Sequence, residues 1–179
     1  HRDVCLLPID GSQGFESQDM NVLSLALRNN KGVVILVNKW DLVEKDTHTT
    51  KLFEEAIREK TAPFQDVPIV FTSVLTKQRI FKAMETAVQV YQNRNRKITT
   101  SQLNDILLPV VHHNPPPAVK GKYIKIKYIT QLPTVYPSFA FFCNLPQYVK
   151  EPYMRFVENQ MRKRWDFQGV PMRIYFRKK

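Results

Sequence analysis

An amide, an ammonium and a carboxylate stand within four residues at Asn38-Lys39-Trp40-Asp41, directly after the apolar run Val33 to Val37. An ionised aspartate accepts hydrogen bonds and donates none, so the Asp41 carboxylate suits a ligand edge that offers two adjacent donors. Asn38 offers both donor and acceptor and can brace neighbouring loops. The aliphatic stem of Lys39 can cover one face of a flat ligand. Trp40 is expected to pack against protein. Asn and Asp after a buried strand also make ordinary turns, so the tetrapeptide must be weighed with what surrounds it.

Side chains at a strand end need a sheet to hold them. Cys5 to Ile9, Val33 to Val37 and Ile69 to Phe71 are short runs rich in Val and Ile, as expected for parallel strands covered on both faces. Helical stripes alternate with these runs. Val22, Leu25, Ala26 and Asn29 form one, with Asp19 near the helix start where the dipole favours an acid. Leu52, Phe53, Ala56 and Ile57 form a second, with Glu54 and Arg58 spaced i,i+4. Ile80, Met84, Ala87 and Tyr91 form a third. The stripes are expected to be core. The resulting β-α-β-α-β-α order, with right-handed crossovers, places ligands beyond the carboxyl ends of the strands, where Asn38 to Asp41 falls.

Charge divides the chain. Residues 1–94 carry 12 Lys and Arg against 12 Asp and Glu, whereas residues 95–179 carry 15 against 4, which is the whole of the net +11. The break falls at Asn93-Arg94-Asn95-Arg96-Lys97, and nine of the twelve prolines lie beyond it. We read two domains, 1–94 and 101–179, joined by a basic linker over 95–100. A basic domain beside a neutral one points to a polyanion such as nucleic acid as partner of the basic part. At 43% hydrophobic and 24% charged residues the composition is that of a globular protein. No apolar run approaches the ~20 residues of a membrane span, and His1-Arg2-Asp3-Val4 leads straight into a strand-like segment without a signal peptide. No membrane partner is expected, and the cytoplasm is the expected location. Cys5 and Cys143, far apart in apolar runs, read as buried thiols rather than a disulfide or a metal site.

From Ser101 the pattern is helix, strand, strand, helix, strand. Leu103, Ile106, Leu107, Val110 and Val111 keep helical spacing, and Pro109 inside it predicts a kink or an early end. His112 and His113 could suggest metal, but adjacent side chains point apart and no carboxylate or thiol is near. A cation at a helix C-terminus is the expected role. Over Tyr123 to Ile129, Ile124, Ile126 and Tyr128 alternate with Lys125 and Lys127. Met172, Ile174 and Phe176 alternate with Arg173, Tyr175 and Arg177. Phe139 to Cys143 is continuously apolar and should lie in the middle. The expectation is a sheet with one apolar face and one basic, aromatic-dotted face. Pro152 fits the first turn of a last helix, whose Tyr153, Phe156, Val157 and Met161 would cover the apolar face and at whose end come Arg162, Lys163 and Arg164.

Asn38 to Asp41 resembles N-K-x-D, the guanine-reading loop of GTPases. The resemblance implies that Asp41 accepts from guanine N1–H and its 2-amino group, a donor pair that adenine does not present, that Asn38 faces N7 and that the Lys39 stem covers the base. Thr72-Ser73-Val74-Leu75 resembles their second guanine loop, S-A-x, in which a backbone N–H meets guanine O6. That pattern assigns the donor to Val74 N–H and the positioning role to Ser73. Taken further, Val34 to Lys45, Phe53 to Arg58 and Pro68 to Ser73 resemble the second G domain of the EngA (Der) family, bacterial GTPases with tandem G domains. Asn144-Leu145-Pro146, Arg155 to Gln160 and Phe167, Gly169, Val170 and Pro171 resemble that family's C-terminal KH-like domain. The resemblance covers nearly the whole chain. An ordinary KH domain clamps a nucleic-acid backbone with a GXXG loop. The segment Asn144 to Tyr148 has no glycine, which fits EngA and counts against the Era-like GTPases that keep the loop. Departures from the pattern are the absence of a G-x-x-x-x-G-K-[ST] phosphate loop, of a switch threonine and of a D-x-x-G segment. Lys77 and Arg79 also stand where glycines are expected.

The resemblance implies an α/β protein: part of a P-loop-NTPase-type G domain, with three parallel strands and helices, followed by a small α+β KH-like domain of order α-β-β-α-β. It implies a fragment of a GTP-binding factor for large ribosomal subunit assembly. Guanine would be read by Asn38, Lys39, Asp41, Ser73 and Val74, with GTP or GDP and Mg²⁺ held by the intact protein. RNA or partner contacts would come from Lys125, Lys127, Arg162, Lys163, Arg164, Arg173 and Arg177. Partners would be ribosomal RNA of the 50S subunit and an upstream G domain of the same chain. Competing readings are a non-catalytic interaction module and an Era-like RNA-binding GTPase. No catalytic residue and no resident metal site are expected. The fragment, which reads as part of something larger, is expected to be inactive alone.

Overall fold

The computed structural model describes residues 3–44 and 48–179, so Lys45 at the end of one family-like run lies outside the described residues. The chain forms two compact units: His1–Arg94 with Phe167–Pro171, and Asn95–Asp166 with Met172–Lys179. The five residues from 167 to 171, which the charge break assigns to the second domain, thus belong to the first unit. Among the described residues no helix is long and apolar enough to cross a membrane.

In the first unit, strands β1 (Val4–Asp10), β2 (Gly32–Asn38) and β3 (Ile69–Phe71) form a parallel sheet in the order β1-β2-β3. Helices α1 (Ser17–Arg28), α2 (Thr49–Thr61) and α3 (Ile80–Arg94) alternate with them. Val33, Val34, Ile35 and Val37 of the central strand are all fully buried, as a β-branched strand covered on both faces should be. One cluster on this sheet gathers Leu7, Ile9, Phe15, Leu23, Ile35, Val37, Trp40, Ile57 and Phe71.

Two of the helices turn differently from the stripes read in sequence. In α1 the buried residues are Leu23 and Ala26, while Val22 and Leu25 are exposed. In α3 they are Ala83, Val90, Asn93 and Arg94, with Met84 and Tyr91 outward. Both helices carry apolar residues on two faces, so period 3.6 shows that a stripe exists without choosing which one meets the sheet. In α2 the stripe meets the core through Ile57, which is buried with Thr61, and through Phe53, while Leu52 at its margin is outward. The expected Glu54–Arg58 pair forms, with Arg58 Nη2 2.6 Å from Glu54 Oε1. Asp19 sits in the first turn of α1, where its Oδ2 accepts the Glu16 N–H at 2.8 Å.

Residues 167–171 complete the first unit beside β2. Val33 N–H donates to Gly169 O, and Gly169 N–H to Asp66 O, both at 2.7 Å. Gly169 has φ +79°, and a Cβ there would lie 2.6 Å from Val90 Cγ2 and 2.9 Å from the Val33 carbonyl. Glycine alone fits so close a backbone approach.

The second unit has the order α4 (Thr100–His113), β4 (Ile126–Gln131), β5 (Ser138–Cys143), α5 (Glu151–Arg162) and β6 (Arg173–Lys178). Its sheet order is β4-β5-β6, with β4 antiparallel and β6 parallel to the central β5. Thr99 caps α4 in a reciprocal box with Gln102. Pro109 does not end the helix, which runs on to His113; Leu107 and Val111, buried on either side of it, hold it in place. Helix α4 also serves as neighbour to the outer edge of β4. Asn104 accepts from Ile129 N–H at 2.9 Å and donates to Ile129 C=O at 3.0 Å. His112 Nε2 lies 2.8 Å from Ile126 O, and since a carbonyl only accepts, the proton is on that nitrogen. The imidazole therefore covers a strand edge, a task not foreseen from its place at the helix end.

Candidate functional site

Strands β1 and β2 run in register with Asp10 opposite Asn38, so both polar residues emerge together at the carboxyl ends. Gly11 N–H donates to Asn38 O at 2.8 Å, and a Cβ on Gly11 would stand 2.8 Å from that same oxygen. The chain then turns through Lys39, in the left-handed region at φ 57°, into a single 3-10 turn, Trp40–Leu42. Trp40 packs against protein as expected, its ring 4.6 Å from Phe71 and 5.4 Å from Phe53 between centroids. The Trp40 backbone N–H donates to Thr72 O at 3.2 Å. This anchors the first loop to the second.

Lys39 Nζ lies 2.7 Å from Asp10 Oδ2. The other oxygen of Asp10 accepts from Ser12 Oγ at 2.6 Å and Ser12 N–H at 2.9 Å. The hydrogen bond from Lys39, followed by those from Ser12, brings the Asp10 pKa down to about 2. Asp10 and Gly11 are site residues that motif reading missed. A signal was present: the runs ending at Ile9 and Val37 are each followed by one polar residue, Asp10 and Asn38.

In the second loop Val74 N–H donates to Asn38 Oδ1 at 3.2 Å. The N–H that the family pattern reserves for a base is thus shared with the asparagine of the first loop. Ser73 is buried, its hydroxyl accepts Thr76 N–H at 3.2 Å, and its backbone pairs with Gln78. Lys77 and Arg79 have φ 56° and 55°. The backbone keeps the left-handed conformation for which glycines are expected, although neither residue is glycine. Asn38, Lys39, Ser73 and Val74 are thereby brought into one constellation. The half-exposed carboxylate of Asp41 has no hydrogen bond or ion pair among the described residues. It is an acceptor-only group when ionised, three residues beyond Asn38.

In the second unit the cations divide. Arg162, Lys163 and Arg164 end α5. There Arg162 Nη2 is 3.2 Å from Glu158 Oε1, and Arg164 Nη1 binds Gln160 O and Oε1 at 2.8 and 3.0 Å. This helix covers the face that carries Phe141 and Phe176, with Tyr153 6.1 Å from Phe176 between ring centroids. Arg173 and Arg177 lie on the opposite face. Lys125 and Lys127 are exposed at the start of β4.

One alternation is corrected. The β4–β5 register slips between Ile126 and Tyr128, pairing Ile126 with Cys143 and Tyr128 with Phe142. The bulge at Lys127 keeps Ile126 and Ile129 buried and moves Tyr128 off their face. Tyr128 stacks on Phe142 with centroids 4.5 Å apart and planes 14° apart. Beside the pair, Lys179 Nζ lies 4.9 Å from the Tyr128 centroid, and Arg177 Cζ 5.5 Å from that of Tyr175.

Both parts of the chain match known families. Residues 1–93 match the family model described as the elongation factor Tu GTP binding domain. Residues 97–177 match that of the KH-domain-like C-terminal region of EngA bacterial GTPase enzymes. The chain is similar to GTPase Der of Christiangramia forsetii, 62% identical over 177 residues, and to those of Bacteroides fragilis and Flavobacterium johnsoniae, at 61% and 60% over 179. It is covered at 99 to 100% in these matches and spans 41% of each relative's length. Era of Aquifex aeolicus bound to GDP·AlF4⁻ superposes with a TM-score of 0.43 at 16% identity, covering 99% of this chain and 65% of that one, a likeness too loose to bear on function. With a GTP-binding-domain segment followed by the KH-like module in one chain, and with this identity to Der proteins across both, the chain belongs to the EngA (Der) family of bacterial GTPases.

Proposed function

We propose that this chain supplies the guanine-recognising part and the RNA-facing domain of a GTP-binding factor that assembles the large ribosomal subunit in the bacterial cytoplasm. The observation that carries the nucleotide reading is the Asp41 carboxylate, without a protein partner among the described residues, in the same loop as Asn38, whose Oδ1 accepts the Val74 N–H at 3.2 Å. Asp41 accepts guanine N1–H and the 2-amino group. Asn38 faces N7, the Lys39 stem covers the base, and the Val74 N–H, now on Asn38 Oδ1, turns toward O6. Lys39 keeps its ammonium on Asp10 while its methylenes meet the base.

Phosphate and Mg²⁺ contacts belong to a part of the family's G domain with no counterpart among these 179 residues, where no G-x-x-x-x-G-K-[ST] segment occurs. The second unit contributes the basic surface of Lys125, Lys127, Arg173 and Arg177 toward ribosomal RNA, with an upstream G domain of the same chain as its other partner. A protein extended to the length of the Der relatives should bind GTP and GDP but not ATP. It should also cosediment with large ribosomal subunits in a salt-sensitive manner. Equal affinity for ATP would overturn the nucleotide reading, and absence from large subunits at low salt the ribosomal one.

A further inference from the structure

The β4-β5-β6 sheet buries Phe139, Phe141 and Cys143 on one face. The other face carries, in register, Tyr128 beside Phe142 beside Arg177, and Ala140 beside Tyr175. Tyr175 is 40% exposed and Arg177 is exposed, while Tyr128 and Phe142 are half-buried. Two aromatic rings already stacked, a third two residues along from Arg177, and two cations held 4.9 and 5.5 Å from ring centroids form more than a solvated basic surface. These three rings lie on the sheet face away from α5, and none is fully buried. An ammonium and a guanidinium rest over Tyr128 and Tyr175, so a base that stacks there takes the cation's place on the ring while the cation moves to the adjoining phosphate, the combination that holds unpaired nucleotides.

We propose that this sheet face binds single-stranded RNA, stacking unpaired bases on Tyr128, Phe142 and Tyr175 while Arg177 and Lys179 take the adjoining phosphates. The proposal rests on the RNA reading above and narrows it, from a basic surface for ribosomal RNA to a face selective for unpaired nucleotides. It does not use the GXXG clamp, since Asn144 to Tyr148 holds no glycine. Duplex RNA offers no base faces and meets proteins through backbone and groove shape. A stacking surface therefore discriminates strand state. A charge surface does not.

The test uses the 179-residue protein with a labelled ten-nucleotide oligouridine and a blunt RNA duplex of equal phosphate number, followed by fluorescence anisotropy. Oligouridine should bind about tenfold or more tighter than the duplex. Tyr128→Ala and Tyr175→Ala should each weaken it about tenfold, as expected for one lost stacked base, and Tyr128→Phe should restore it. Arg177→Gln and Lys179→Gln should each reduce the slope of log K against log salt by about 0.7. Circular dichroism confirms that each variant is folded, and photocrosslinking of 5-bromouridine to peptides containing Tyr128 or Tyr175 reads the contact in the unsubstituted protein. Equal binding of duplex and single strand, or tyrosine variants that are folded yet bind normally, overturns the stacking face and leaves the broader RNA reading standing. Competition by polyglutamate as strong as by oligouridine overturns it in favour of an acidic protein partner. If neither RNA binds at low salt, both readings fall.

Discussion

Lys39 Nζ lies 2.7 Å from Asp10 Oδ2, an ion pair between the ends of two parallel strands 29 residues apart in sequence. It ties Lys39, one residue past β2, to the end of β1. Asp10→Asn removes the charge and keeps the shape. In the protein of full family length this should weaken GDP by about three- to tenfold, as for one modest charged contact, with little effect on folding. An unchanged affinity by calorimetry would remove Asp10 from the site.

The same pair fixes a pH dependence. The Asp10 pKa lies at about 2 in the folded chain against an ordinary 3.8. Its contribution is therefore present above pH about 4 and is lost as pH falls through about 2. The Asp10 carboxyl carbon should show a flat NMR shift from pH 8 to about 4 and titrate below that. A midpoint near 4 would mean the pair does not form in solution.

Lys77 and Arg79 hold φ angles of 56° and 55° in the second loop. A side chain in the left-handed region costs about 1 kcal/mol, partly offset by the entropy a glycine loses on folding. Lys77→Gly and Arg79→Gly should each stabilise the protein by roughly 0.5 kcal/mol in urea unfolding. Destabilisation by either would show that the cation itself makes the loop.

Asn104 supplies both a donor and an acceptor to Ile129, on a strand edge that no further strand covers among the described residues. Asn104→Ala leaves two buried backbone groups without partners and should cost about 2 to 3 kcal/mol, measured by urea unfolding. Asn104→Asp restores only the acceptor and should recover part of that loss.

What the sequence made legible follows from what each pattern encodes. Strands β1, β2 and β3 stood out because Val- and Ile-rich runs in a parallel sheet are apolar on both faces, and the α-β-β-α-β order of the second unit because alternation and Pro152 marked its elements. Trp40 was correctly read as packing against protein, here Phe53 and Phe71. Other features depend on contacts that no local pattern carries. The buried faces of α1 and α3 were misplaced because both helices are apolar on two sides, whereas the single stripe of α2 reached the core through Phe53 and Ile57. Tyr128 was placed on the wrong face because a one-residue bulge at Lys127 inverts the alternation after it. The return of residues 167–171 to the first unit rests on Gly169, whose required closeness to Val33 and Val90 shows only in three dimensions. Asp10 escaped notice because its partner is 29 residues away.

The chain alone should not hold nucleotide. Base contacts without a phosphate loop leave GTP only a few hydrogen bonds, each worth about 1 kcal/mol net. Titration calorimetry of the 179-residue protein should show no binding at micromolar concentrations. A micromolar dissociation constant would mean that these loops suffice without phosphate contacts.

The central claim, that Asp41 reads the guanine edge, is tested most directly by competing GDP, IDP and XDP for the protein of full family length and its Asp41→Asn variant. IDP lacks the 2-amino group and should bind the unsubstituted protein at least about tenfold more weakly than GDP, the cost of one hydrogen bond to a charged acceptor. In XDP a carbonyl replaces that amino group, and the amide of Asp41→Asn can donate to it, so the variant should prefer XDP over GDP. Equal affinity for IDP and GDP, with a preference unmoved by Asp41→Asn, would contradict the account.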